Sequence, residues 1–332
     1  MVPVHSPQVD TRLWLASAQV YAVPMSNRFR GITVREGVLL RGEAGWGEFS
    51  PFLDYGDAEC VPWLASAVEA ATTGWPTPVR DRIPINCTVP VVDPATAHRI
   101  VAESSCRTAK VKVADPGTTV SDDCDRVAAV RDALGVGGHI RVDANAAWDT
   151  DTAVAAIRDL DKAAGGLEYV EQPCPTVAEL AEVRRRVDVR IAADESIRRA
   201  EDPMRVAVAG AADLAVIKVA PLGGVRRALA VAEACGLPCV ISSAVETSVG
   251  LAAGLALAGA LPELDFACGL GTVSLLTADV VPESLRPVDG WLPVPTAPPE
   301  PDPALLAATG AHEDTRTRWL DRLQRVAALY ER

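Results

Sequence analysis

From about Ile83 onward, short apolar runs alternate with longer amphipathic segments. The runs are PINCTVP, AKVKV, HIRVDA, LEYVEQ, VRIAADE, DLAVIKVA, PCVISSA and DFACGLG. Between most of them lie Ala-, Val-, Leu- and Arg-rich stretches long enough for a helix, such as DTDTAVAAIRDLDKAAG and GVRRALAVAEACG. Strand-length runs alternating with helix-length segments predict βαβ crossovers and a parallel sheet, an α/β architecture. Eight runs within roughly 190 residues fit a (β/α)8-type barrel better than an open doubly wound sheet. The open sheet is the alternative, but no GxGxxG follows the first run to support a dinucleotide-binding version.

The pattern differs at both ends. RLWLASAQVYAV and GITVREGVLLRGEAGWGEFSP read as strands, with the polar, basic PMSNRFRG as a loop between them. CVPWLASAVEAATT has helical periodicity, and prolines at 76, 78 and 84 then punctuate the chain. Residues 1–85 thus form a small α+β unit and residues 86–289 the barrel. Residues 290–332 make a Pro-rich connection and an amphipathic helix carrying Trp319, Leu323, Val326 and Tyr330.

Composition narrows the partners. The 332 residues carry a net charge of -12, which argues against nucleic acid or an anionic membrane surface as the main partner. No uninterrupted apolar run is long enough to span a bilayer, and the N-terminus lacks the organisation of a signal peptide, so a cytoplasmic protein is expected. Eight scattered cysteines without a C-x-x-C pair read as reduced, mostly buried thiols.

Five charges close five successive runs: Lys112, Asp143, Glu171, Asp194 and Lys218. Alternate residues share a strand face, so Lys110 points with Lys112, Arg141 with Asp143, and Asp194 with Ser196. The active sites of barrels lie at the C-terminal strand ends, where these charges fall. Three converging carboxylates repel one another unless a cation lies between them, and all-oxygen donors suit Mg²⁺, or Mn²⁺ as a substitute. The alternative is that each carboxylate pairs with an arginine or caps the next helix. Lys112 and Lys218 end the second and sixth runs, on opposite sides of a closed ring. Lys110, a second cation beside Lys112, would lower the pKa of Lys112 and let it act as a base. None of His5, His98, His139 and His312 lies at a strand's C-terminal end, so a histidine base is not expected. A metal with a lysine base can remove a proton next to a carboxylate.

K-x-K at 110–112, D-A-N at 143–145, E-Q-P at 171–173, D-E-S at 194–196 and the later Lys218 together resemble the muconate-lactonising subgroup of the enolase superfamily. The resemblance implies a modified barrel whose mouth is capped by the N-terminal α+β unit with the C-terminal segment. It also implies Asp143, Glu171 and Asp194 as Mg²⁺ ligands and Lys112 and Lys218 as the acid/base pair. WGEFSPF (46–52) and VISSAVETSVGL (240–251) are similar to the branch that dehydrates a succinyl-bearing cyclohexadiene carboxylate in menaquinone biosynthesis. By the same analogy Asn145, Ser242, Ser243 and Gly269 line the substrate pocket, joined by Lys110. Arg28 and Arg30 could meet a second carboxylate of the substrate; solvated loop arginines fit them equally well. An N-acylamino acid racemase or dipeptide epimerase is the alternative function, and FACGLGT, where an epimerase would carry D-x-D, weighs against the latter. A non-catalytic barrel that only binds metal or a partner is the third. Gly223-Gly224 before a helix could bind an anion or simply make a tight turn.

Overall fold

The computed structural model describes residues 17–198, 206 and 210–331. Among the described residues the first sheet is antiparallel, made of β1 (Gln19–Phe29), β2 (Ile32–Gly42) and β3 (Gly45–Phe49). PMSNRFRG is not a loop. Its residues extend β1 to Phe29, and the chain turns at Arg30 and Gly31, whose φ values are 49° and 81°. The register shifts between Pro24 and Phe29, beginning where proline has no N–H for the ladder. Met25 and Phe29 are buried while Ser26 and Arg28 are exposed, so a polar segment still alternates as a strand. Residues 12–16 of the expected first strand lie outside the described residues.

The helix Asp57–Thr72 lies directly on this sheet. A Cβ at Gly47 would stand 1.9 Å from the Ala67 carbonyl oxygen, so only glycine permits that approach. The helix Glu313–Tyr330 buries Trp319, Leu323, Val326 and Ala327 in the same core as Phe49, Phe52 and Trp63. Its Trp319 meets Phe49 edge-on at 6.1 Å.

Seven parallel strands follow in chain order: β5 (Cys87–Val89), β6 (Thr108–Lys112), β7 (His139–Asp143), β8 (Tyr169–Glu171), β9 (Ile191–Ala193), β10 (Leu214–Lys218) and β11 (Cys239–Ser242). They follow β4 (Arg82–Pro84), which pairs antiparallel with β12 (Trp291–Pro293). The eighth run, DFACGLG, forms no strand. It joins the two sheet edges by single bridges, Cys268 to Ile85 and Gly269 to Ser242. Backbone bonds fasten both, from Cys268 N to Pro84 O at 2.7 Å and from Gly269 N to Ile241 O at 2.7 Å. A Cβ at Gly269 would meet Ser242 Oγ at 2.7 Å, so the seam is narrow.

Strand parity sorts the barrel. Outward residues such as Val111, Val142, Val170 and Ile217 pack under the helices in the main core; each such burial contributes about 1.5–3 kcal/mol. Inward, Tyr169, Leu214, Val216, Val240 and Phe266 form a smaller plug. Arg141 completes it, fully buried, with its guanidinium 4.7 Å from the Tyr169 ring centroid. It donates to Asn86 Oδ1 at 3.2 Å, Ala267 O at 2.6 Å and Glu168, the pairing that a buried charge requires. No helix among the described residues is long and apolar enough to cross a membrane.

Candidate active site

Above this plug the inward positions turn polar. Lys112 pairs in register with Asp143, and Asp143 with Glu171, so three adjacent strands deliver their charges on one rung. Asp194 directly follows β9, and Lys218 ends β10 opposite Ser242 on β11. Asp143, Glu171 and Asp194 are buried to 1%, 0% and 0% exposure.

The ammonium groups lie on these carboxylates. Lys110 Nζ donates to Glu171 Oε1 and Oε2 at 3.0 and 2.8 Å and stands 3.5 Å from Asp143 Oδ2. Lys112 donates to Asp143 and, at 2.7 Å, to Asn145 Oδ1. Its Nζ also stands 5.2 Å from the Phe29 ring centroid at the hairpin tip. Across the mouth, Lys218 donates to Asp194. Asn145 and Ala146, at φ 47° and 63°, turn the chain so that Asn145 N donates back to Asp143 Oδ1 at 3.0 Å. Gln172, at φ 38°, accepts from Asp194 N at 2.9 Å and Ser196 N at 3.2 Å, joining the ends of β8 and β9.

Electrostatics follow from this packing. Burial, then the charge of Asp143, pushes Glu171 up to about 7 against the pull of Lys110. Burial alone would raise Asp143, yet Lys112 and Lys110 hold it well below the usual carboxylate range. Burial opposes the charge of Lys110, but Glu171 and Asp143 more than offset this and raise its pKa. The cationic neighbour of Lys112 is therefore itself neutralised by two carboxylates.

In this side-chain arrangement no three acidic, imidazole or thiol groups among the described residues converge tightly enough to grip an ion. The ammonium groups stand on the carboxylates, where a cation would bind. The donor set nonetheless fits a hard divalent ion: three buried carboxylates at neighbouring strand ends, only oxygen atoms, and mutual repulsion that already raises Glu171.

Lys110, Lys112, Asp143, Asn145, Lys218, Ser242, Ser243, Gly269 and Arg30 line one narrow cavity partly open to solvent. Glu171 and Asp194 lie deeper. Arg30 stacks on Phe52 at 4.0 Å and donates to Tyr55 Oη at 3.1 Å. Arg28 is exposed and faces an outer cavity that shares Phe29, Arg30, Lys112 and Asn145. Phe29, Phe52, Tyr55, Trp63, Thr88 and Thr272 also line the inner cavity. Sequence reasoning missed them, because four come from the hairpin tip and the helix Asp57–Thr72 with its approach, which only the fold carries over the mouth. Gly223-Gly224 does receive an anion, and it is the chain's own. Glu69 accepts from Val225 N, and from Arg226 N at 3.2 Å, at the start of the helix Val225–Cys235.

An antiparallel cap over a parallel barrel, with acids and lysines at its strand ends, defines an enolase-type protein. Residues 94–298 match the family model described as enolase C-terminal domain-like, and residues 20–71 the enolase N-terminal domain-like model. The muconate lactonizing enzyme of Pseudomonas fluorescens, solved with muconolactone, superposes with a TM-score of 0.76 at 25% identity, over 89% of this chain and 98% of that one. Curated relatives narrow the class. The o-succinylbenzoate synthase of Thermobifida fusca is 66% identical over 84% of this chain and 87% of its own length, and that of Mycobacterium tuberculosis is 53% identical over 99% and 98%. The chain belongs to the o-succinylbenzoate synthase family, a family of lyases within the enolase superfamily, whose members use a divalent metal ion.

Proposed function

We propose that this chain dehydrates 2-succinyl-6-hydroxy-2,4-cyclohexadiene-1-carboxylate to 2-succinylbenzoate, a step of menaquinone biosynthesis, with Mg²⁺ held by Asp143, Glu171 and Asp194. The observation that carries the proposal is the placement of Lys112 and Lys218 at the ends of the second and sixth barrel strands, on one cavity, in a chain 53–66% identical to curated o-succinylbenzoate synthases. When bound, the divalent ion supplies positive charge that stabilises the enolised carboxylate.

The lysines do the proton work. Lys112 takes the proton from the carbon bearing the carboxylate. The ring C–O bond then breaks on the same face, and Lys112 returns the proton to the departing hydroxide, releasing water. Aromatisation of the ring drives this step. Lys218 stays protonated on the opposite side and adds positive charge near the carboxylate. Arg30 is the group for the succinyl carboxylate, since it lines the same cavity and Phe52 and Tyr55 hold it. Arg28, on the outer cavity, meets the substrate only on approach.

We read residues 1–85 with 290–332 as the cap and 86–289 as the barrel, supported by Trp319 Nε1 donating to Glu36 at 2.9 Å across the two terminal segments. A cytoplasmic location is supported by eight free cysteines. The opposed lysines also favour a second reading, N-acylamino acid racemisation, which uses both as bases. Purified protein should aromatise the cyclohexadiene substrate, with loss of activity under chelator. Deuterium exchange into N-acyl amino acids without dehydration would instead support the racemase.

A further inference from the structure

The wall of the cavity between β11 and the helix Ser248–Ala260 includes Ala244 and Val245. Val245 has φ 64°, a region that a β-branched residue occupies only when its surroundings enforce it. Three sets of contacts hold this turn. Ala244 N donates to Glu246 Oε2 at 2.7 Å, and Val245 N to Ser243 Oγ at 3.4 Å. The third set comes from the capping hairpin. Arg35 of β2, only 2% exposed, sends Nε to Val245 O at 2.9 Å and Nη2 to Ala244 O at 3.2 Å. Its remaining bonds hold it to the cap: Nη2 to Ser50 O and, at 3.0 Å, Ser50 Oγ, and Nη1 to Glu36 O at 3.1 Å. Its guanidinium also lies 4.6 Å from the ring centroid of Phe52, another cavity residue.

We infer that Arg35 is a positioning residue for the reaction: from the cap it clamps the Ala244–Val245 turn in its strained form and so shapes the substrate wall of the barrel. It touches no reacting atom. A rigid fork with several donors spans two successive carbonyls, which a lysine ammonium cannot do in the same geometry. The clamp acts on the wall and not on Lys112 or Lys218, so its loss weakens binding of substrate and transition state alike.

A double-mutant cycle of Arg35→Ala with Val245→Gly tests this. Glycine takes φ 64° without penalty, so it removes the need for the clamp. Arg35→Ala alone is expected to raise KM about tenfold with kcat changed less than about threefold. In the Val245→Gly background the same substitution should raise KM by no more than about threefold. The kinetic arm rests on the dehydration proposed above, and turnover by the unmodified protein tests that separately. Amide hydrogen exchange over residues 243–247 follows the same cycle without substrate: Arg35→Ala should accelerate it and Val245→Gly should cancel the acceleration. Circular dichroism checks folding, and if Arg35→Ala does not fold, Arg35→Lys takes its place with a smaller expected effect. Unchanged exchange in the first variant, equal losses in both backgrounds, or failure of both Arg35 variants to fold would each overturn the inference.

Discussion

Lys110 Nζ is held between the two carboxylate oxygens of Glu171, at 3.0 and 2.8 Å, with both side chains almost wholly out of water. Removing one member of a buried pair leaves the other charge uncompensated, at about 3–5 kcal/mol. Lys110→Met keeps the apolar stem and deletes the charge. With chelator present, urea unfolding should show a stability loss of about 3 kcal/mol. Saturating Mg²⁺ should recover part of it, because the ion replaces the missing positive charge. Equal losses with and without Mg²⁺ would show that Glu171 does not face the ion.

The two remaining lysines should fail differently. Lys112→Ala removes the group proposed to take and return the proton, worth about 10²–10⁴-fold in kcat for acid/base catalysis. Lys218→Ala removes fixed positive charge and should cost about 10²–10³-fold, the size of a lost electrostatic stabiliser. Steady-state turnover of the cyclohexadiene substrate measures both. Retention of more than a tenth of the activity by Lys112→Ala would remove it from the chemistry.

Much of this site was legible from one chain. The parity rule that sends Val111 and Val142 outward sends Lys112 and Asp143 inward, while the register Lys112↔Asp143↔Glu171 is set by the backbone ladder and not by parity. The eight apolar runs marked the ring, although the last is reduced to bridges at Cys268 and Gly269. PMSNRFRG misled because its polarity reflects a strand with one solvated face. What stayed hidden are contacts across the cap–barrel boundary. Arg35 to Val245, Glu48 to Thr247 and Glu69 to Val225 join residues more than 150 positions apart. Neither partner carries a local pattern naming the other. Lys110 was legible as a neighbour of Lys112, but its capture by Glu171 depends on side-chain reach and not on parity.

The divalent ion should be needed for turnover and should stabilise the fold. If the ion binds only folded protein, a concentration one hundredfold above its Kd adds about 2.7 kcal/mol. Thermal unfolding with increasing Mg²⁺ should rise accordingly, and Asp143→Asn should flatten the response. Isothermal titration would show the same loss of affinity. An unfolding midpoint indifferent to Mg²⁺ and Mn²⁺ would exclude these carboxylates as the ligands.

A side chain at Gly224 should be costly while Glu69 is present. Its φ is 116°, and an added Cβ would stand 2.3 Å from Glu69 Oε2 and 2.9 Å from Glu69 Cδ. That carboxylate docks the helix Asp57–Thr72 on the start of Val225–Cys235, just beyond the short turn that follows Lys218. Gly224→Ala therefore meets two costs, backbone strain of about 1–3 kcal/mol and displacement of the docked carboxylate. Glu69→Ala alone should cost about 1 kcal/mol, from the lost charge at a helix N-terminus. In the double variant the clash is gone and the strain and the missing Glu69 charge remain, so the combined loss should fall short of the sum of the two single losses. Urea titrations of the four proteins measure the difference. Strict additivity would mean that Glu69 and Gly224 do not touch in solution.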